Sequence, residues 1–144
     1  MSQCVWIINQ YASTPATGLG GRHYYLAREL ALKGYTVYVI GSSSHHLLRS
    51  KPLYNGDVAI EKVDGFNFVW LKTPEYADAH SAQRVFNWFY FSWKLRQLVN
   101  RIPDQPDSIL CSSPSLLSYW GASYLSKKLS ARLVFEVRDI WPLS

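Results

Sequence analysis

Residues 4–40 read CVWIINQYASTPATGLGGRHYYLARELALKGYTVYVI. The apolar run Cys4 to Asn9 is typical of a strand that is covered on both faces. After a loop, Arg22 to Lys33 has apolar residues at helical spacing and stops at Gly34, which suits a left-handed helix cap. Thr36 to Ile40 predicts the next strand. This stretch therefore predicts a βαβ unit with parallel strands and a right-handed crossover.

The remaining sequence continues the alternation, with one hairpin added. Asp64-Gly65 is a strong hairpin-turn dipeptide between two extended stretches of Val58 to Lys72. The elements predicted after it are a helix from about Ser81 to Arg101, a strand at Ser108 to Ser112, a helix at about Ser115 to Leu129 and a strand at Leu133 to Val137. Together they predict an α/β fold, a Rossmann-like, mostly parallel sheet with helices on both faces.

The composition is that of one globular domain. The chain has 144 residues, of which 48% are apolar, 15% aromatic and 17% charged, and a formal net charge of +5. It is too apolar for a disordered chain, and no window has the roughly 18 uninterrupted apolar residues of a spanning helix. The start of the sequence resembles no secretory signal, so a cytoplasmic location is expected. The positive charge favours anionic partners, but no nucleic-acid-binding motif accompanies it, so no nucleic-acid partner is predicted.

The two cysteines, Cys4 and Cys111, fall within predicted strands. Neither has a second cysteine or a histidine at metal-ligand spacing. Both are therefore interpreted as reduced core thiols, and no metal site is predicted.

In such a sheet, ligands bind in the crevice at the carboxyl ends of the strands. The glycine-rich turn Thr17 to Arg22 follows a strand there and opens a helix. Glycines allow close backbone approach, and the first helical turn attracts a phosphate or a carboxylate. The spacing fits neither the dinucleotide fingerprint nor the P-loop, which disfavours NAD and ATP chemistry. The alternative is that the glycines make only a tight turn.

Three further groups are predicted at the same edge. His45 and His46 would place imidazoles there, although a solvated loop is the alternative. Ser113 could offer a hydroxyl, or it could cap a helix. Asp139 could accept a hydrogen bond from a hydroxyl substrate, with Arg138 meeting a phosphate, whereas a structural ion pair is the alternative.

The long predicted helix has an unusual aromatic surface, with six aromatic residues between Phe86 and Trp93. At about 100° per residue they divide into two stripes. The stripe with aliphatic residues is the predicted core face and comprises Trp88, Phe91, Leu95, Leu98 and Val99. The other comprises Phe86, Phe89, Tyr90 and Trp93, is flanked by Arg84, Lys94 and Arg96, and suggests contact with a membrane interface. The alternative is packing under the hairpin or against a second domain.

Several of these segments together resemble a known family. They are Ile7 to Leu30 with its glycine-rich turn, Gly34 to Val37, Asp64-Gly65, Ser112 to Pro114, and Phe135 to Pro142, which reads FEVRDIWP. In this order the chain resembles glycosyltransferase family 4, of the surface-polysaccharide type similar to N-acetyl-fucosamine transferases. The first and last motifs together are specific.

The resemblance implies a GT-B enzyme, in which two Rossmann-like domains face each other. Residues 1–144 would form an incomplete amino-terminal, acceptor-side domain, and the donor-binding domain would lie outside this sequence. Such an enzyme transfers a sugar from a nucleoside diphosphate to a polyprenyl-diphosphate-linked saccharide in O-antigen or capsule synthesis, with retention of anomeric configuration. A nucleotide sugar would be its substrate, and no cofactor or tightly bound metal is expected.

The resemblance also implies roles for the candidate residues. Gly20, Gly21 and Arg22 would lie at the donor diphosphate, and Asp139 with Arg138 would be catalytic. The acceptor side would include His45, His46 and Ser113.

A lipid-linked acceptor would also explain the aromatic helix. The residues expected at an anionic membrane, on the inner face of the plasma membrane, are Phe86, Phe89, Tyr90, Trp93, Lys94 and Arg96. Two other hypotheses remain open. One is a non-catalytic acceptor- or membrane-binding subunit of a split transferase. The other is a different nucleotide-binding Rossmann-like protein, which is disfavoured because no acid follows the second strand.

Overall fold

The computed structural model describes residues 3–18, 21–43, 56–73, 81–112 and 117–136. These residues form six strands, three α-helices and one 3₁₀ turn. In chain order they are β1 (Cys4–Ile8), α1 (Gly21–Leu32), β2 (Thr36–Ser42), β3 (Val58–Val63), β4 (Phe66–Leu71), α2 (Ser81–Leu95), the 3₁₀ segment (Arg96–Asn100), β5 (Ser108–Ser112), α3 (Ser118–Leu129) and β6 (Arg132–Glu136).

All six strands belong to one sheet, in the order β3-β4-β2-β1-β5-β6. β1 lies between β2 and β5 and is parallel to both, with Ile8 opposite Ile40 on one side and Cys111 on the other. β3 is the antiparallel edge strand and pairs with β4. The predicted Rossmann-like, mostly parallel sheet is therefore confirmed.

The sheet is buried on both faces because successive side chains of each strand point to opposite sides. In β1, Trp6 and Ile8 belong to the apolar cluster that includes Phe91, Leu95 and Leu125 of α2 and α3. Ile7 faces the other way and belongs to the cluster that includes Ala27 of α1. The helices therefore cover both faces, as the continuous apolar strands predicted.

The hairpin between β3 and β4 forms at the predicted dipeptide. Asp64 has φ of +44° and Gly65 has φ of +91°. Positive φ at both central residues matches the right-handed twist of two-residue hairpins, and Asp and Gly tolerate it best. The turn thus adds the antiparallel edge strand to an otherwise parallel sheet.

The long helix differs from the prediction of one helix from Ser81 to Arg101. α2 ends at Leu95 and a 3₁₀ segment continues to Asn100. Leu98 is fully buried, and its carbonyl accepts the backbone N–H of Arg101 at 3.2 Å. Such tightening is common at the end of an α-helix, and here it turns the chain toward β5 while Leu98 stays in the core. The predicted core stripe is confirmed, since Phe91, Leu95 and Leu98 are all fully buried.

Candidate functional site

Polar side chains collect at the carboxyl edge of the sheet. The strands that end there are followed or terminated by Asn9, Ser42, Thr73, Ser112 and Glu136. The strand order reverses between β1 and β5, because β1 continues through α1 to β2 on one side and β5 lies on the other. Ligands of open α/β sheets bind at such a reversal. The candidate site is therefore the edge where β1, β5 and β6 end.

An ion pair joins the first turn of α1 to the end of β6. The two terminal nitrogens of Arg22, Nη1 and Nη2, donate to the two carboxylate oxygens of Glu136, each at 2.5 Å. The Ser112 hydroxyl donates to Glu136 Oε1 at 2.8 Å. These donors, Arg22 first and then Ser112, lower the pKa of Glu136 from 4.5 to about 2. The carboxylate therefore stays charged at neutral pH and fixes the direction of the guanidinium.

A buried histidine lies beside this pair on α1. The backbone N–H of Tyr11 donates to Asn9 Oδ1 at 3.0 Å, so the Asn9 amide turns its NH₂ group to His23 and approaches Nδ1 at 2.9 Å. The same amide nitrogen is 3.3 Å from Nε2 of the ring. Asn9 thereby holds the buried His23 side chain at the carboxyl edge of the sheet.

The described part of the loop after β1, residues 9–18, is packed against the sheet. The Thr17 hydroxyl accepts the backbone N–H of Thr14 at 3.1 Å, and Gly18 donates its N–H to the Thr14 carbonyl at 2.8 Å. The loop crosses β2 so closely that a Cβ on Gly41 would be 3.2 Å from the carbonyl oxygen of Ala12. Residues 12–18 are thus held in a hydrogen-bonded segment that lies against the sheet.

The described residues include part of the predicted site. Gly21 is the first residue of α1, and Arg22 is half exposed in the following position, with 50% of its side chain accessible. Six other predicted residues lie outside the described residues, namely Gly20, His45, His46, Ser113, Arg138 and Asp139.

Ser112 and Glu136 lie within the Ser112 to Pro114 and FEVRDIWP segments of the resemblance, but neither was assigned a role in the site. Glu136 is 114 residues from Arg22 in the chain, and the contact exists because the order β1-β5-β6 brings the end of β6 close to the start of α1. The features of the sequence that could have indicated this contact were an acid at the carboxyl end of the last strand and a base at the start of the first helix. That the two residues pair could be predicted only with knowledge of the strand order.

The aromatic stripe predicted for α2 is largely at the surface. Phe86 is 59% exposed, Phe89 49% and Trp93 55%, while Tyr90 is partly buried between Phe86 and Trp93. Trp88, on the predicted core stripe, is half-buried, and its indole N–H donates to the Tyr11 hydroxyl at 2.7 Å. The helix thus buries one stripe against the sheet and presents the other outward.

Lys94 is a correction to the predicted membrane residues. Its side chain is buried, with the whole residue 2% exposed. Its Nζ is 3.5 Å from a carboxylate oxygen of Asp57 and 5.5 Å from the centre of the Tyr90 ring. The ion pair and the aromatic ring replace the hydration that the ammonium loses. Lys94 therefore attaches α2 to the segment before β3 and cannot reach a lipid headgroup.

The aromatic surface continues onto α3, which the sequence interpretation did not include. Tyr119 and Trp120 are exposed in the first turn of α3. The rings of Trp120 and Phe89 are 6.1 Å apart, and Arg96 lies over Tyr124 at 4.7 Å. The aromatic residues at positions 119, 120 and 124 could have indicated a second aromatic surface, but their proximity to α2 depends on the packing of the two helices.

Both cysteines are buried and free, as predicted. Burial and the nearby Asp104 raise the pKa of Cys4 to about 11, and burial raises the pKa of Cys111 to about 12. Across the described ranges there is no cluster of three or more potential metal ligands. No helix among the described residues has the length and apolar character needed to cross a bilayer.

Comparison with solved structures supports the Rossmann-like fold. No protein-family model matches the sequence, and none of the curated proteins matches it. A structure of E. coli trehalose-6-phosphate synthase, a GT-B glycosyltransferase bound with UDP-2-fluoro glucose, is similar over 97% of this chain, with a TM-score of 0.58 and 14% sequence identity. The likeness shows that this chain shares a Rossmann-like α/β fold with part of that enzyme.

The chain spans 34% of the length of that enzyme. At this identity the likeness establishes the fold, while family 4 and the N-acetyl-fucosamine transferase type stay hypotheses from the sequence. The polar edge with Arg22 and Glu136 lies at the carboxyl edge of the sheet, where open α/β sheets bind their ligands.

Proposed function

We propose that the protein is the amino-terminal, acceptor-side domain of a retaining GT-B glycosyltransferase. Its reaction transfers a sugar from a nucleoside diphosphate to a lipid-linked saccharide during surface-polysaccharide synthesis, at the inner face of the plasma membrane. The observation that carries the proposal is the arginine at the start of α1, fixed by Glu136 and Ser112 at the carboxyl edge of a GT-B fold. The family 4 resemblance of the glycine-rich turn and of the FEVRDIWP segment supports it.

The chemistry requires positive charge where the diphosphate leaves. The bond from the anomeric carbon to the diphosphate oxygen breaks, and its electron pair leaves with the diphosphate. The acceptor hydroxyl forms the new bond to the same carbon on the same face of the sugar, and its proton goes to the departing phosphate oxygen. The backbone N–H groups at the start of α1 and the Arg22 guanidinium would stabilise that growing charge.

The ion pair to Glu136 serves positioning in this proposal. A bidentate pair uses two of the five N–H donors of a guanidinium. It also fixes the plane of the group, so less side-chain entropy is lost when a diphosphate binds. Gly20 and Gly21 would let the diphosphate approach the backbone, while Asp139, with Arg138, would orient the acceptor. His45, His46 and Ser113 would lie on the acceptor side.

Attachment to the membrane would bring the domain to a lipid-linked acceptor. Phe86, Phe89 and Trp93 are exposed on α2, Tyr90 lies between them, and Arg96 follows in an exposed position. Aromatic rings favour the headgroup level of a bilayer, and a nearby arginine contributes roughly 1 kcal/mol toward an anionic surface. Lys94 is excluded from this surface by its burial.

The proposal is tested on the ¹⁵N-labelled chain by NMR titration with UDP, GDP and dTDP. We expect millimolar binding of at least one nucleotide, with chemical-shift changes centred on Gly18, Gly21, Arg22 and Ser112. Arg22→Gln should weaken that binding about fivefold or more, because one phosphate partner is lost. Arg101→Gln is the matched control, since Arg101 is exposed near the opposite edge of the sheet.

Two results would contradict the proposed role of Arg22 and the start of α1 at the donor diphosphate. One is the absence of any response at the start of α1 up to millimolar nucleotide, and the other is equal weakening by Arg22→Gln and Arg101→Gln. A second titration uses a short-chain polyprenyl-diphosphate saccharide. Binding of that compound without any response to nucleotides would favour the alternative function, an acceptor-binding subunit without a part in catalysis.

A further inference from the structure

A groove with aromatic walls lies between α2 and α3. Its cavity volume is about 340 Å³, at the lower end of the range for ligand pockets. Phe89 and Trp93 line it from α2, and Trp120 and Tyr124 line it from α3. Arg96 lies in the same lining with its guanidinium over the Tyr124 ring at 4.7 Å. The α2/α3 groove therefore combines an apolar trough with one cation.

The floor of the groove is a close contact between the two helices. The backbone N–H of Gly121 donates to the Ser92 hydroxyl at 2.9 Å. A Cβ on Gly121 would be 2.4 Å from the Ser92 carbonyl oxygen, so glycine is needed for this approach. Because the two helices are in direct contact here, the aromatic side chains lie on either side of a packed floor. The groove is therefore present without a ligand.

The two helices that form the groove carry charged residues of one sign. Residues 81–101 and 117–129 contain no aspartate or glutamate. The exposed cations on these segments include Arg96, Arg101, Lys127 and Lys128. A second copy of this face would meet it with like charges, and a cationic ligand would compete with Arg96 for the Tyr124 ring. The complementary ligand is apolar at one end and anionic at the other.

Two amphiphiles have this chemistry, a phospholipid of the bilayer and the lipid-linked acceptor, and the position of Arg96 distinguishes between them. α2 and α3 both run away from the carboxyl edge of the sheet, and α2 leads through the 3₁₀ segment to the start of β5. Trp88 of α2 contacts Tyr11, which follows the carboxyl end of β1. Asp104, which follows the 3₁₀ segment, accepts the indole N–H of Trp6 with its backbone carbonyl at 3.2 Å. Arg96 thus lies toward the amino edge, away from Arg22. The reacting saccharide of a lipid-linked acceptor would lie at the carboxyl edge, whereas Arg96 lies toward the opposite edge, which favours a lipid of the bilayer over the acceptor.

We infer that the α2/α3 groove binds one acyl chain of an anionic phospholipid of the bilayer, with its phosphate at Arg96. The aromatic walls remove the chain from water, and the guanidinium donates to the phosphate oxygens. This inference rests on the proposed membrane attachment and makes it specific, because it assigns the lipid contact to a defined groove rather than to the whole aromatic surface.

The test uses dihexanoyl phosphatidylglycerol below its critical micelle concentration, followed by NMR on the labelled 144-residue chain. Phe89→Ser and Phe86→Ser form a matched pair, because Phe89 lines the groove and Phe86 is exposed three residues earlier outside the described lining. Arg96→Gln and Arg101→Gln form a second pair on the same segment. Vesicles of phosphatidylglycerol in a flotation assay measure membrane attachment separately, and circular dichroism confirms that each variant is folded.

We expect the wild-type chain to bind the monomeric anionic lipid with shift changes at Ser92, Gly121 and Tyr124. Phe89→Ser and Trp120→Ala should weaken this binding about tenfold, as loss of a buried aromatic contact predicts. Arg96→Gln should weaken it about fivefold, whereas Phe86→Ser and Arg101→Gln should change it less than about twofold. Dihexanoyl phosphatidylcholine should bind more weakly than the anionic lipid, because its headgroup has no net charge.

Other results would overturn the inference in distinguishable ways. Vesicle flotation without binding of the monomeric lipid, or equal effects of Phe86→Ser and Phe89→Ser, would refute the groove and leave membrane attachment standing. Failure of both assays would refute membrane attachment as well. A dimer that Trp120→Ala dissociates would show that a second copy occupies the groove instead.

Discussion

Substitution of Gly121 by alanine tests whether α2 and α3 are in contact, because the contact determines whether the free energy of unfolding falls or rises. The added Cβ would lie 2.4 Å from the Ser92 carbonyl oxygen and 2.8 Å from Leu95 Cδ1, against the 3.4 Å at which ordinary contact begins. The carbonyl is backbone and has no rotamer to change, so the helices must separate by about 1 Å. Overpacking of this kind costs about 1 to 3 kcal/mol, and the strained hydrogen bond from Gly121 to Ser92 adds about 1 kcal/mol.

Helix propensity acts in the opposite direction, since alanine is favoured over glycine by about 1 kcal/mol in a helix interior. The net expectation is a loss of about 2 kcal/mol in the free energy of unfolding, and a Tm lower by about 4 to 8 °C. Urea and thermal denaturation followed by circular dichroism measure both quantities. Lys127→Ala, at an exposed position of the same helix, is the control and should stay within about 0.5 kcal/mol. A Gly121→Ala variant as stable as the wild type, or more so, would refute the helix contact and the groove floor with it.

Three further predictions concern the core, the ion pair and the thiols. Phe91→Ala removes a fully buried ring between α2 and the sheet and should cost about 3 to 5 kcal/mol, while Phe86→Ala at the surface should cost less than about 0.5 kcal/mol in the same denaturation assay. Glu136→Gln should lower stability by about 1 kcal/mol at pH 7, a value reduced for the exposure of the pair. The pKa of Glu136 is about 2 in the folded chain, against an ordinary value of 4.5. The difference in the free energy of unfolding between wild type and variant should therefore be complete above pH 4.5 and vanish as the pH falls toward 2. A difference that does not change with pH would contradict the ion pair. Cys4 and Cys111 should react with a thiol reagent at pH 8 only as fast as the chain unfolds, because burial raises both pKa values; rapid reaction of the folded protein would show that the strands open.

The order of elements follows from local patterns in the sequence. The apolar run at β1, the helical spacing of α1 and the Asp64-Gly65 turn each depend on neighbouring residues, and all three elements form where they were predicted. The core stripe of α2 and the 3₁₀ segment also follows from a helical period of about 3.6 residues, which predicts Phe91, Leu95 and Leu98 on one face. Such patterns reflect which face of an element meets the core, so they can be interpreted without knowing what covers that face.

Contacts between distant elements depended on the strand order and the helix packing. Arg22 and Glu136 pair because β6 and the start of α1 meet at one edge of the sheet, although the two residues are 114 positions apart. Lys94 has the sequence context of an exposed cation, but its side chain is buried and its ammonium contacts Asp57, which lies 37 positions earlier in the chain, so it is removed from the surface. The sequence by itself determined the Rossmann-like layers and the amphipathic faces, since these need only local periodicity. The tertiary structure decided which charges pair and which aromatic rings line one groove, because burial and proximity depend on elements far apart in the chain.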